Sequence, residues 1–273
     1  GGLRGLTPGD RATLPAVGRE PRVGSSSVGR QLRDVPSRLE EATGALRFGP
    51  PVTHVYAPLE YAADAVGQYL DRYARRGVEA LLLGMNPGPW GMAQTGIPFG
   101  EVQHVREYLG ISGPVRTPRV QHPKRPVDGL ECTRSEVSGR RLWGWVSSRF
   151  PDPDRFFDRF FVWNWCPLAF LEETGRNRTP DKLPVAERRP LEAACDEALR
   201  ELVDLLQPRR VIGVGGFARR RASLALGPEL PVDTILHPSP ASPAANRGWA
   251  PQVEVQLREM GVELGPPAVR SAD

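Results

Sequence analysis

The chain has 273 residues, 40% of them hydrophobic, and its 36 basic and 32 acidic side chains leave a net charge of +4. That length and apolar content suit one globular domain with a full core. No run of about 18 apolar residues exists, which excludes a membrane-spanning helix. Cys132, Cys166 and Cys195 stand far apart with no CxxC, which argues against a disulfide scaffold, a zinc site or an iron–sulfur cluster. Reduced, buried thiols are expected instead. The N-terminus has no basic start followed by an apolar core, so no secretory leader is expected.

Residues 1–50 carry eight Arg against five acids and are rich in Gly, Pro and Ser. Hydrophobic periodicity is absent until about residue 38, and this stretch reads as a disordered basic tail. One folded domain is expected over 51–264, with a flexible C-terminus at 265–273. Order begins near Val55. In "PLEYAADAVGQYLDRYARRG" the apolar residues Leu59, Ala62, Ala63, Val66, Tyr69, Leu70 and Tyr73 fall at helical spacing, and Gly77 suits the stop. "VEALLLGM" follows as a continuous apolar run, the mark of a strand buried on both faces.

The next stretch, "GMNPGPWGMAQTGIPFGEV" (84–102), holds five Gly and three Pro in nineteen residues. That composition forbids a helix or an inner strand. Yet it carries Met85, Trp90, Met92, Ile97 and Phe99, which a plain linker would not expose. Residues 115–149 then hold eight basic and three acidic side chains, among them Arg116, Arg119, Lys124, Arg125, Arg140 and Arg141. A basic stripe in a near-neutral body fits contact with a polyanion, a solvated face being the alternative.

A second strand is expected over Phe160–Trp163. "RPLEAACDEALRELVDLLQP" is the clearest helix, with Pro190 near its start and Pro208 past its end. "RRVIGVGG" is a third strand, "FARRRASLALG" a helix, and "VDTILHPSP" a fourth strand entering a Pro-rich loop. A helix over about Gly248–Met260 closes the domain. This order predicts an α/β fold with a mainly parallel central sheet. In such sheets ligands bind outside the carboxyl ends of the strands, where the loops 84–102, 164–170 and 237–249 all fall. Asn86 and Asn164 each stand at a strand end. The Asn164 side chain offers an acceptor and two donors, enough to pair with the N3–H and O4 edge of a uracil ring, a cap on the turn before Pro167 being the alternative. His237 directly follows a buried strand, stiffened by Pro238, Pro240 and Pro243. "GVGGFA" lacks a full G-x-G-x-x-G, no Walker lysine exists, and no carboxylate pair frames the loops. No nucleotide cofactor and no metal are expected.

The motifs "GMNPGPWGMAQTGIPFGEV", "QHPKRP", "ECTRSEVSGRRLWGW", "FVWNWCPLAFL", "GRNRTP" and "LHPSPASPAANRGW" resemble, in order, those of the single-strand-selective monofunctional uracil-DNA glycosylases. This is a branch of the uracil-DNA glycosylase superfamily. The resemblance spans about residues 54–263 and leaves 1–50 unexplained. It implies a three-layer α/β/α sandwich around a mostly parallel four-stranded sheet, with 51–264 as the catalytic domain. It also implies base-excision-repair hydrolysis of the bond from uracil N1 to deoxyribose C1′ in single- and double-stranded DNA, leaving an abasic site.

By motif, Asn86 would position the attacking water and His237 would stabilise negative charge at uracil O2. Phe99 would stack on the flipped base and Asn164 would read its Watson–Crick edge. Met85 would support the pocket. Gly88 would leave space beside uracil C5, so 5-hydroxymethyluracil is expected as a further substrate. DNA contacts would come from Ser239, Ala241, Ser242 and Arg247 in the last loop, and from Lys124, Arg125, Arg140 and Arg141 in the basic stripe. Where vertebrate members carry an Arg in the loop that wedges into the duplex, this chain has Ala241, followed by Ser242, which puts duplex preference in doubt. The two lysines, Lys124 and Lys182, lie outside the pocket loops, so no amine stands ready for a Schiff base and lyase step. The resemblance needs no cofactor, metal, membrane or second subunit. It places the protein with DNA, in a bacterial nucleoid or a eukaryotic nucleus. Two other readings stay open: a glycosylase of the same fold for hypoxanthine or xanthine, and a lesion-binding protein that does not cleave.

Overall fold

The computed structural model describes residues 27–265. In chain order the first elements are α1 (Ser27–Leu32), α2 (Asp34–Gly44), β1 (Val52–Tyr56), α3 (Pro58–Tyr61), α4 (Ala63–Tyr73) and β2 (Ala80–Gly84). Then come α5 (Met92–Thr95), α6 (Val102–Glu107), α7 (Val137–Arg149), α8 (Pro153–Phe157), β3 (Phe160–Asn164), β4 (Ala169–Glu172) and β5 (Asn177–Arg178). The last are α9 (Val185–Leu206), β6 (Val211–Val214), α10 (Gly216–Leu226), β7 (Val232–Ile235), α11 (Pro243–Asn246) and α12 (Trp249–Glu259).

The central sheet has four strands in the order β3–β2–β6–β7, and every pairing is parallel. Every residue of β2, β3 and β6 is buried. Because side chains alternate between faces, full burial means that both faces are covered. These are the α/β class and four-stranded parallel sheet that the sequence predicts. Tyr69 of α4 donates its hydroxyl to the Val162 carbonyl of β3 at 2.8 Å, and its ring packs on Phe161. That contact locks the first long helix onto the sheet.

Four local expectations are corrected. The tail is not disordered over its second half. Val28, Leu32, Val35 and Leu39 form a stripe at i, i+4, i+7 and i+11 that buries α1 and α2. Pro36, which hides the pattern, is the third residue of α2, where its missing N–H has no helical partner to lose. Arg33 Nε then reaches Asp71 of α4 at 2.9 Å, and Arg38 pairs with Glu201 of α9. Residues 1–26 and 266–273, on which the rest of the tail expectation and most of the C-terminal one fall, lie outside the described residues. The helix expected from residue 58 onward is broken at Ala62, because the Tyr61 carbonyl accepts a tertiary bond from Arg116 N–H at 2.9 Å. Helix α9 starts at Val185, leaving Pro190 inside it rather than near its start. Finally, a second, antiparallel sheet, β1–β4–β5, draws two short strands, β4 and β5, from the stretch after Asn164, and β4 begins inside what reads as loop.

Candidate active site

Gly84 and Asn164 end neighbouring parallel strands in register. The chain leaves both strands together: Trp165 N–H donates to Gly84 O at 3.0 Å and Cys166 N–H to Met85 O at 2.8 Å. A Cβ on Gly84 would lie 2.1 Å from Asn164 Oδ1 and 2.6 Å from the Phe99 ring. So Gly84 is glycine because those two side chains fill the space above it. Asn164 is 4% exposed; its Nδ2 donates to Met92 Sδ at 3.2 Å, and its Oδ1 has no partner. Phe99 is buried with φ of 55°, a backbone state that bulky L residues rarely adopt. Its ring centroid lies 6.2 Å from that of His237.

Asn86 is fixed from the second sheet. Its Nδ2 donates to Leu168 O, just before β4, at 3.2 Å, while Asn177 of β5 donates to Pro87 O at 3.0 Å. The small sheet thus holds one side of the 84–102 loop.

His237 follows β7 and packs over Gly215, where a Cβ would come within 3.1 Å of its own Cβ. Burial without a compensating charge lowers its pKa to about 4. Its Nδ1 accepts from Ser239 N–H at 3.0 Å. A neutral ring whose Nδ1 accepts must carry its proton on Nε2. The site therefore presents a neutral imidazole donor.

Gly88 does not face empty space. A Cβ there would lie 2.0 Å from Glu136 Oε2, and one on Gly91 would lie 2.7 Å from Glu136 Oε1. The Glu136 carboxyl accepts from the backbone N–H groups of Trp90 and Gly91, and burial raises its pKa to about 7. Its Oε2 is buried without a partner. The "SEVSGRR" motif is visible in the sequence, but nothing local marks its Glu as a neighbour of residue 88.

Glu136 immediately precedes α7, and that helix touches both Pro-rich loops. A Cβ on Gly139 would lie 2.2 Å from Phe99 O, and Trp143 Nε1–H donates to Pro98 O at 3.1 Å. Arg141 Nη1 donates to Pro238 O at 3.0 Å and Ser239 O at 3.3 Å, and its Nη2 to Asn246 Oδ1 at 2.8 Å. Arg141, expected on DNA, makes three bonds inside the protein and so anchors the loop that carries His237. In the same loop, Ser239 Oγ accepts from Ala241 N–H at 3.1 Å, and Ser242 Oγ caps α11 by accepting from Ala245 N–H at 3.4 Å. Lys124, Arg140, Ala241 and Arg247 are exposed. Arg125 and Arg134 both lie over the Trp90 ring, at 5.3 and 4.5 Å from its centroid. Among the described residues no group of three or more His, Cys, Asp or Glu is placed to hold a metal ion, and no helix is long and apolar enough to cross a membrane. The three cysteines are buried and free.

The model of the uracil DNA glycosylase superfamily matches residues 71–254. The single-strand selective monofunctional uracil DNA glycosylase of Bos taurus is 48% identical over 246 residues, covering 89% of this chain and 90% of the bovine protein. The Rattus norvegicus protein of that name is 50% identical over 228 residues, covering 82% of each chain. Among solved structures, a wild-type SMUG2 from Pedobacter heparinus superposes with a TM-score of 0.57 at 16% identity, covering 83% of this chain and 97% of that one. That likeness concerns the fold alone. Sequence match and fold agree, and the chain belongs to the uracil DNA glycosylase superfamily.

Proposed function

We propose that this protein hydrolyses the bond from uracil N1 to deoxyribose C1′ in DNA and leaves an abasic site, as a monofunctional glycosylase of base excision repair. The observation that carries the reading is His237: a neutral ring with Nε2–H as donor, beside Phe99. The base leaves the stack and enters the pocket. Phe99 stacks on its face. Asn164 accepts from N3–H with its unpartnered Oδ1 and directs Nδ2 toward O4. His237 Nε2–H donates to O2 as electrons from the breaking bond collect on the base.

Asn86 cannot take a full proton at neutral pH. Its Nδ2 is held by Leu168 O, which leaves Oδ1 to accept from and orient the water that adds to C1′, and the proton this water sheds passes to the departed uracil anion. Bond breaking therefore runs ahead of water attack, and stabilising the departing anion is the larger task. Gly88 lies along the C5 edge of the base, with the Glu136 carboxyl filling the space a side chain there would take, and both uracil and 5-hydroxymethyluracil are substrates in this reading. Backbone groups of the 237–249 loop with Ser239, and the exposed Lys124, Arg140 and Arg247, contact phosphates of single- or double-stranded DNA. With Ala241 and Ser242 in the wedge position, opening of a duplex relies on other side chains, and Arg247 is the nearest in sequence able to fill a gap. The scheme needs no second subunit, and the protein acts as a monomer in this reading, wherever its DNA is housed.

The test is single-turnover release of uracil from a single-stranded oligonucleotide without added metal, by wild type and by His237→Leu. Removing one such donor is expected to slow release by about 100–1,000-fold. Release that survives the substitution would remove His237 from the chemistry. No release by wild type would overturn the function.

A further inference from the structure

We infer that Glu136 determines specificity: its Oε2 forms the wall beside the 5-position of the bound base and accepts the hydroxyl of a 5-hydroxymethyl group. The inference rests on the proposed function, in which Gly88 lies along that edge of the base. Three observations point to it.

The first is place. Oε2 stands 2.0 Å from where a side chain at residue 88 would begin. The volume that a larger residue would occupy is therefore filled by a carboxyl.

The second is an unmet acceptor. The backbone N–H groups of Trp90 and Gly91 hold the carboxyl, and Oε2 is buried with no partner. A buried acceptor left unpaired is costly, and its persistence calls for a reason.

The third is clustering. Among the described residues four buried side-chain oxygens lack a partner: those of Glu136, Asn164, Asn177 and Glu187. Three of them border the segment 84–91, since Asn164 faces Gly84, Glu136 faces Gly88, and Asn177 is bonded to Pro87. Acceptors gathered round one loop await donors from a ligand. A 5-hydroxymethyl pyrimidine offers two donors on adjoining edges, N3–H and the side-chain O–H. The first meets Asn164 and the second meets Glu136.

The same wall disfavours thymine. Its methyl group has no donor and would press on a carboxyl already cut off from water. A site built to bind a hydroxyl rejects the analogue that lacks it far more strongly than an apolar pocket does. Uracil leaves Oε2 as it stands and enters without penalty.

Single-turnover release would be measured well above pH 7, where Glu136 is ionised, from one DNA strand carrying uracil, 5-hydroxymethyluracil or 5-formyluracil, with wild type, Glu136→Gln and Glu136→Asp. Gln keeps an oxygen for the N–H groups of Trp90 and Gly91 but turns an amide donor toward the substituent. The formyl group accepts and cannot donate. Glu136→Gln should keep uracil release within about threefold and shift the hydroxymethyl-to-formyl ratio by about tenfold or more toward formyl, the scale of one hydrogen bond to a charged group. Glu136→Asp, which draws the acceptor back, should slow hydroxymethyl release and leave uracil release near wild type. An unchanged ratio, or an equal fall for all three bases, would reduce Glu136 to a support for the loop and overturn the inference while the proposed function stands. Wild-type release of uracil alone would overturn both the inference and the placing of Gly88. Absence of any release would sink the inference together with the proposed function.

Discussion

His237 shows how much one hydrogen bond settles. A free histidine is divided between two tautomers and is partly protonated near neutrality. Here the Ser239 N–H occupies Nδ1, and burial holds the pKa at about 4. The donor is thus in one form across the whole range in which DNA repair operates. Uracil release should show no loss attributable to this ring from pH 8 down to pH 5.5, and should fall only as the pH nears 4. A pH–rate profile under single-turnover conditions checks this, and a limb near pH 6.5 would contradict it. The proposed catalytic pair, Asn86 and His237, stood out by place, since each follows an apolar strand run in a stiff loop, while the roles proposed for them came from the family resemblance. Glu136 was not, because its meaning depends on a glycine 48 positions earlier, and no local pattern encodes such a meeting.

At the scale of elements, α7 was the part the sequence hid. Its apolar residues Leu142, Trp143, Trp145 and Val146 are interleaved with Arg, Gly and Ser, so the segment reads as a basic stripe rather than a helix with an inner face. The charges drew attention to DNA, yet Arg141 is turned inward to the 238–239 carbonyls. Arg141→Ala should therefore slow uracil release by about tenfold or more, the scale of lost bonds to a charged group. The affinity for DNA and its dependence on salt should stay nearly unchanged. Single-turnover rates and binding isotherms at several salt concentrations separate the two roles: weaker binding with a shallower salt slope would return Arg141 to the DNA interface. The antiparallel sheet β1–β4–β5 was missed for a different reason. Its strands are two to five residues long, too short for alternation to register. The fully buried, uninterrupted apolar runs of β2 and β3 and the amphipathic α9 were readable because each satisfies its pattern without help from a distant partner.

For the whole molecule, the parallel order β3–β2–β6–β7 explains why the site was findable before its geometry was known. Parallel strands send their carboxyl ends the same way, so the residues after β2, β3 and β7 had to meet at one rim. The rim also leaves a mark on global stability. Glu136 has a folded pKa of about 7 against an ordinary 4.5. The folded chain then holds a proton that the unfolded chain has released, so its contribution to stability is complete below pH 4.5 and is lost as the pH rises toward 7. His237 works in reverse. Its folded value of about 4 lies below the ordinary 6.5, so stability declines as the pH falls from 6.5 toward 4. Thermal unfolding of wild type and Glu136→Gln should diverge with pH: the difference in Tm, wild type minus variant, should decrease from pH 4.5 to pH 7. A constant difference would mean that Glu136 does not titrate in that window. Phe99 carries a related consequence. Its backbone sits at φ of 55°, a state that costs of order 1–3 kcal/mol. The adjoining Pro98 carbonyl is tied to Trp143, and Gly139 packs against its own carbonyl oxygen. The ring is therefore aimed when the chain folds, before any base arrives. In the proposed scheme the cost of that aim falls on the stability of the empty protein and not on its affinity for DNA, so the face offered to a flipped base is set by the same packing as the core behind it.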